Sequence, residues 1–70
     1  MEAKELIRGL EIIEQCRPKS ESGYHVSAEH DAIYAGGSLE DWPIGEKEVK
    51  ELEVLGWDYD KDIDRWTAYV

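Results

Sequence analysis

This chain of seventy residues has a single cysteine, Cys16, and therefore no internal disulfide to staple it. It must fold on one small hydrophobic core, and chains this short bury a modest fraction of their surface. The length fits one domain, residues 1–70. There is no Phe, so three Trp and four Tyr must supply much of the core beside the aliphatic residues, each burying a large area. The apolar residues are too well patterned for a disordered chain. A lone cysteine fits a reducing compartment. No apolar run is long enough to cross a bilayer, and the acidic start lacks the basic and apolar regions of a signal peptide. The expectation is a soluble cytoplasmic protein that does not engage membranes.

Hydrophobic spacing predicts a helix over residues 3–16, with Ala3, Leu6, Leu10 and Ile13 on one stripe, Ile7 at its edge, and Lys4, Arg8, Glu11 and Gln15 opposite. Gly9 beside the stripe suggests a close approach of another element, because glycine inside a helix costs about 1 kcal/mol against alanine. Arg17-Pro18 ends this helix. Alternation predicts a half-buried strand over residues 24–28, with Tyr24, Val26 and Ala28 on one side. A turn at Glu29-His30-Asp31 leads to a second strand from Ala32 to Ala35, stopped by Gly36-Gly37.

The next helix is the most strongly signalled. Gly45 serves as N-cap, Glu46 and Glu48 complement the dipole in the first turn, and Ile44 with Val49 forms a hydrophobic staple. Val49, Leu52 and Leu55 form its buried stripe, and Gly56 sits where a left-handed terminator is needed, before Trp57. Trp57 and Tyr59, then Trp66, Ala68 and Val70, alternate with polar residues as two strands of a second hairpin. The order α-β-β-α-β-β predicts an α+β domain, an antiparallel sheet with helices on one face.

The formal net charge is −9, unevenly placed. Residues 1–20 carry four acids and four bases, whereas residues 21–70 carry thirteen acids and four bases. Residues 40–64 alone hold ten acids and three bases. Such a field repels nucleic acid and anionic lipid and attracts basic surfaces. The candidate partner-binding set is Glu40, Asp41, Glu46, Glu48, Glu51, Glu53, Asp58, Asp60, Asp62 and Asp64. Glu46 with Lys50, and Lys47 with Glu51, are helical i,i+4 pairs that neutralise part of it. Strand geometry places Asp58 and Asp60 away from Trp57 and Tyr59. Carboxylates on one strand face are about 6–7 Å apart, close to the phosphate spacing of an extended nucleic-acid strand. The plain alternative is that these charges only keep the chain soluble.

Other chemistry finds little support. The run from Asp58 to Asp64 spaces acids like the start of an EF-hand loop, but Ile63 occupies the sixth position, where glycine is needed, and Tyr69 the twelfth, where a bidentate Glu is needed. Cys16, His25, His30 and Asp31 have no metal-ligand spacing and no local triad pattern. Gly36-Gly37 lacks the lysine and helix of a phosphate loop. No enzyme activity, metal or other cofactor is expected. Trp42, before Pro43 in a loop, is a candidate aromatic anchor for a partner or else a cap over the core.

The run His25-Val-Ser-Ala-Glu-His-Asp-Ala-Ile-Tyr-Ala-Gly36, together with Leu52-Glu-Val-Leu-Gly-Trp57 and Asp64-Arg-Trp-Thr-Ala-Tyr-Val70, resembles small acidic proteins encoded by phages and prophages. In size and acidity the chain also resembles anti-CRISPR proteins. That resemblance implies inhibition by occupancy in a bacterial host cell. An acidic surface, acting as a DNA mimic, would cover the basic surface with which a CRISPR effector subunit reads DNA or its protospacer-adjacent motif. The expected partner is a basic nucleic-acid-binding protein, with no direct binding of nucleic acid. The competing expectation is a small adaptor or regulatory module using Trp42 and an apolar patch. Either a monomer or a weak homodimer is expected, with strand 65–70 able to pair across a dimer if it lies at the sheet edge.

Overall fold

The computed structural model describes residues 1–19 and 26–69. Helix α1 spans Ala3–Gln15, and its start is fixed by the Glu2 backbone N–H, which donates to Glu5 Oε1 at 2.9 Å. Strands β1 (Val26–Glu29) and β2 (Ala32–Ala35) form the first hairpin, with His30 in the left-handed region (φ 47°) at its turn. Helix α2 spans Glu46–Leu55 between Gly45 at its N-cap and Gly56, whose φ of 102° closes the helix as a left-handed cap. Strands β3 (Trp57–Asp60) and β4 (Arg65–Tyr69) form the second hairpin, and Asp64 (φ 53°) turns the chain into β4.

All strand pairs are antiparallel and the sheet order is β1-β2-β4-β3. The fold is therefore the expected α+β arrangement in the order α-β-β-α-β-β. Strand β4, however, lies inside the sheet, bonded to both β2 and β3, so it offers no free edge for dimer pairing. The expectation built on residues 65–70 fails for this reason, and Val70 lies outside the described residues.

Register sorts the side chains. Trp57, Tyr59, Trp66, Ala68, Ile33 and Ala35 face the helices, and the buried cluster joins them to Ile12, Ile13, Leu52 and Trp42. Tyr59 meets Trp66 edge to face, with ring centroids 5.5 Å apart. The buried face of α1 is turned from the predicted stripe: Gly9, Ile12 and Ile13 are buried, Leu10 is half-buried, and Ile7 and Ala3 are exposed. The cause is the docking of α1 at Gly9 onto the Trp57 indole, which a Cβ at that position would overlap.

Strand β1 also departs from expectation, because all four of its residues are exposed. Val26 and Ala28 belong to the helix-facing side by register, opposite Ala35 and Ile33, but the helix layer leaves them uncovered. Tyr24 and His25, predicted at the start of this strand, lie outside the described residues. Among the described residues no helix is long and apolar enough to cross a membrane.

Candidate functional site

The sheet face turned away from the helices is where strand alternation delivers polar side chains. One row across it reads Ser27, Tyr34, Thr67, Asp58, and the next pairs Arg65 with Asp60. Asp58 is exposed on β3, an edge strand. Asp60 caps the following turn by accepting the Asp62 backbone N–H at 2.9 Å. Asp64 accepts the Tyr59 hydroxyl at 3.3 Å. That carboxylate and burial of the ring both raise the Tyr59 pKa, burial being the larger cause. Asp62 is exposed in the turn.

Arg65 decides the electrostatics of this corner. It is the cross-strand partner of Asp60, yet its guanidinium reaches across the sheet in the other direction. Its Nη1 donates to Ser27 Oγ at 3.0 Å, Nε to the Gly36 carbonyl at 3.3 Å and Nη2 to the Tyr34 carbonyl at 3.4 Å. The ion pairs among the described residues are Lys4–Glu2, Arg8–Glu51 and Arg17–Glu14. None involves Asp58, Asp60, Asp62 or Asp64.

The remaining acids stand elsewhere. Glu51 bonds the Arg8 side chain of α1, Nε to Oε2 at 2.9 Å, and that guanidinium lowers the Glu51 pKa from its ordinary value. Glu48 folds back toward the N-cap, where a Cβ on Gly45 would come within 2.7 Å of its Oε2. Glu46 and Glu53, seven residues apart, share the opposite, exposed flank of α2. In the loop before α2, Asp41 accepts the Ser38 hydroxyl at 3.1 Å, and Glu40 is exposed beside it. The ten acids are thus divided between the open sheet face with its turn, two flanks of α2 and one loop.

Trp42 requires a correction as an exposed anchor. It is 2 % exposed and belongs to the core. The Gly36-Gly37 corner admits it, since a Cβ on Gly37 would lie 2.9 Å from the indole nitrogen, and Arg17 stacks over its ring at 5.5 Å. The exposed aromatic is instead Tyr69, 62 % exposed on the open sheet face, in the layer that also carries Tyr34. The alternation of Tyr69 with Ala68 carried that signal. The pairing of Tyr34 beside Thr67 depended on a long-range register. Of the other candidates, His30 is exposed in its turn, Cys16 is half-buried at the end of α1, and His25 lies outside the described residues. Among the described residues no group of three or more His, Cys, Asp or Glu is placed to hold a metal ion.

Comparisons with protein-family models, with curated proteins and with solved structures found no match to this chain.

Proposed function

We propose that this chain is an inhibitor that mimics DNA, laying the carboxylates of β3 and its turn on the basic DNA- or motif-reading surface of a CRISPR effector complex, as anti-CRISPR proteins do. It would act in the cytoplasm of a bacterial host, encoded by a phage or prophage. The observation that carries this reading is the turning away of Arg65, which leaves Asp58, Asp60, Asp62 and Asp64 without a cationic partner among the described residues. Four carboxylates on one edge strand and turn, with only Lys61 among them and no ion pair among the described residues, give a net negative local field suited to a Lys/Arg surface. The adaptor reading loses its anchor, because Trp42 is in the core.

The test is affinity capture from a CRISPR-bearing bacterial host, repeated at rising salt, alongside a plasmid-interference assay. Capture of a nucleic-acid-binding effector subunit that weakens with salt is expected. Asp58→Lys with Asp62→Lys, which spares the hydrogen-bonded Asp60 and Asp64, should abolish capture and inhibition while circular dichroism stays native. Undiminished inhibition by that variant would remove this surface from the mechanism.

A further inference from the structure

The sheet face turned from the helices carries a checkerboard of large and small side chains on its two central strands. Register sets Ala32 opposite Tyr69, and Tyr34 opposite Thr67. The tyrosines therefore occupy one diagonal of this block and the small residues the other. Ala32 is 3 % exposed and Thr67 2 %, although both lie on this open face. The tyrosines are the largest described side chains beside them, so aromatic surface lies over a floor of small residues. Tyr69 has neither a ring nor a cation against it among the described residues.

Each small residue is continued outward by an acid. Asp58 stands beside Thr67 on β3, and Glu29 beside Ala32 on β1. Both acids are exposed, and neither forms an ion pair among the described residues. Aromatic rings flanked by carboxylates attract a cation twice over, through the negative ring face and through charge. A buried acceptor lies in the same place. The Thr67 hydroxyl, across from Asp58 in register, has no hydrogen-bond partner among the described residues. Stacking surface, carboxylate and unused acceptor together suit a planar cation with several donors. Arginine has that form, with five N–H donors in a flat fork that stacks on aromatic rings. A lysine ammonium is compact and strongly hydrated, and gains chiefly from the carboxylates.

We infer that this face is an arginine-binding subsite, in which a partner's guanidinium stacks on Tyr69 and pairs with Asp58. Asp58 and Tyr69 are diagonal neighbours, about 7–8 Å apart, a gap that a guanidinium between them spans. The inference rests on the reading of Asp58 as part of the partner-binding surface, and it names the side chain received there. Carboxylates alone attract arginine and lysine alike, so the choice between them falls to the tyrosines.

The test titrates the full chain with hexa-arginine and, separately, with hexa-lysine at one ionic strength, followed by NMR. Hexa-arginine should bind about two- to fivefold more tightly, with the Tyr69 ring resonances shifting. Tyr69→Leu should remove the preference with native circular dichroism retained, and Tyr69→Phe, which keeps the ring, should preserve it. Asp58→Asn should weaken both peptides. A deoxythymidine oligonucleotide, whose bases could stack on the same rings, should not bind a chain of charge −9. Equal affinity for the two peptides, binding of neither, or a preference that survives Tyr69→Leu overturns the inference, as does oligonucleotide binding that Tyr69→Leu removes. Equal peptide binding would leave the DNA-mimic reading standing, because that reading needs only the carboxylates and is decided by capture and plasmid interference.

Discussion

Gly9 of α1 lies directly against the Trp57 indole of β3, with no room between them for a Cβ. This contact sets the rotation of the helix over the sheet and buries the indole completely. Gly9→Ala improves intrinsic helix propensity by about 1 kcal/mol, but the rigid indole cannot yield easily, and overpacking a core costs about 1–3 kcal/mol. The expected outcome is a net loss of stability, read as a lower urea midpoint at unchanged slope. A midpoint equal to or above that of the parent would show that α1 can lift without cost.

Thr67 is 2 % exposed, and its hydroxyl has no hydrogen-bond partner among the described residues. A buried unsatisfied hydroxyl costs about 1–3 kcal/mol, and an apolar group of the same shape avoids that cost. Thr67→Val is therefore expected to stabilise the fold by about 1 kcal/mol, which for a domain of this size raises Tm by about 4–8 °C. Thermal unfolding measures it directly. A lowered Tm would mean that the hydroxyl is satisfied in solution.

The Arg8 guanidinium holds the Glu51 carboxyl below its ordinary range, first through the hydrogen bond and then through charge. A depressed carboxyl contributes its stability above the unfolded-state value and loses it as the pH falls through the lower folded-state value. Glu51→Gln is expected to flatten the acid limb of stability against pH while changing little of its shape above neutrality. Urea unfolding across a pH series checks this, and an acid limb of unchanged slope would show that the pair does not hold α1 to α2 in solution.

Burial, and then the nearby Glu48 carboxylate, push the Cys16 thiol above its ordinary value. Thiolate is the reactive form. Cys16 should therefore react with a disulfide reagent at neutral pH more slowly than a free small-molecule thiol, with the rate climbing into the alkaline range. Glu48→Gln should speed the neutral-pH reaction modestly. A parent rate matching the free thiol would place Cys16 in open solvent.

The elements legible in the sequence are those with local punctuation. Gly45, Gly56 and the 3.6-residue spacing of Val49, Leu52 and Leu55 delimit α2, and alternation sorts Trp57 and Tyr59 from Asp58 and Asp60. What was not legible depends on distant residues. The buried face of α1 follows from where Trp57 sits, and the exposure of β1 follows from how far the helices extend. The burial of Trp42 follows from glycines five and six residues before it, which make the corner that receives it. The candidate site was only half readable. The position of Asp58 follows from a two-residue period, but the reach of Arg65 toward Ser27 spans 38 residues of sequence and a strand order that no local pattern encodes.

The insertion of β4 between β2 and β3 also bears on how the chain reaches its fold. Each hairpin can close on its own within microseconds, because its strands are near neighbours in sequence. The β2–β4 pairing instead joins residues 32–35 to residues 66–69, across a long loop whose closure entropy precedes any gain from contact. During synthesis the first hairpin and both helices must wait with Trp42, Ile12 and Ile13 uncovered until Trp66 and Ala68 leave the ribosome. This interval is when the chain is most exposed to chaperones and to aggregation.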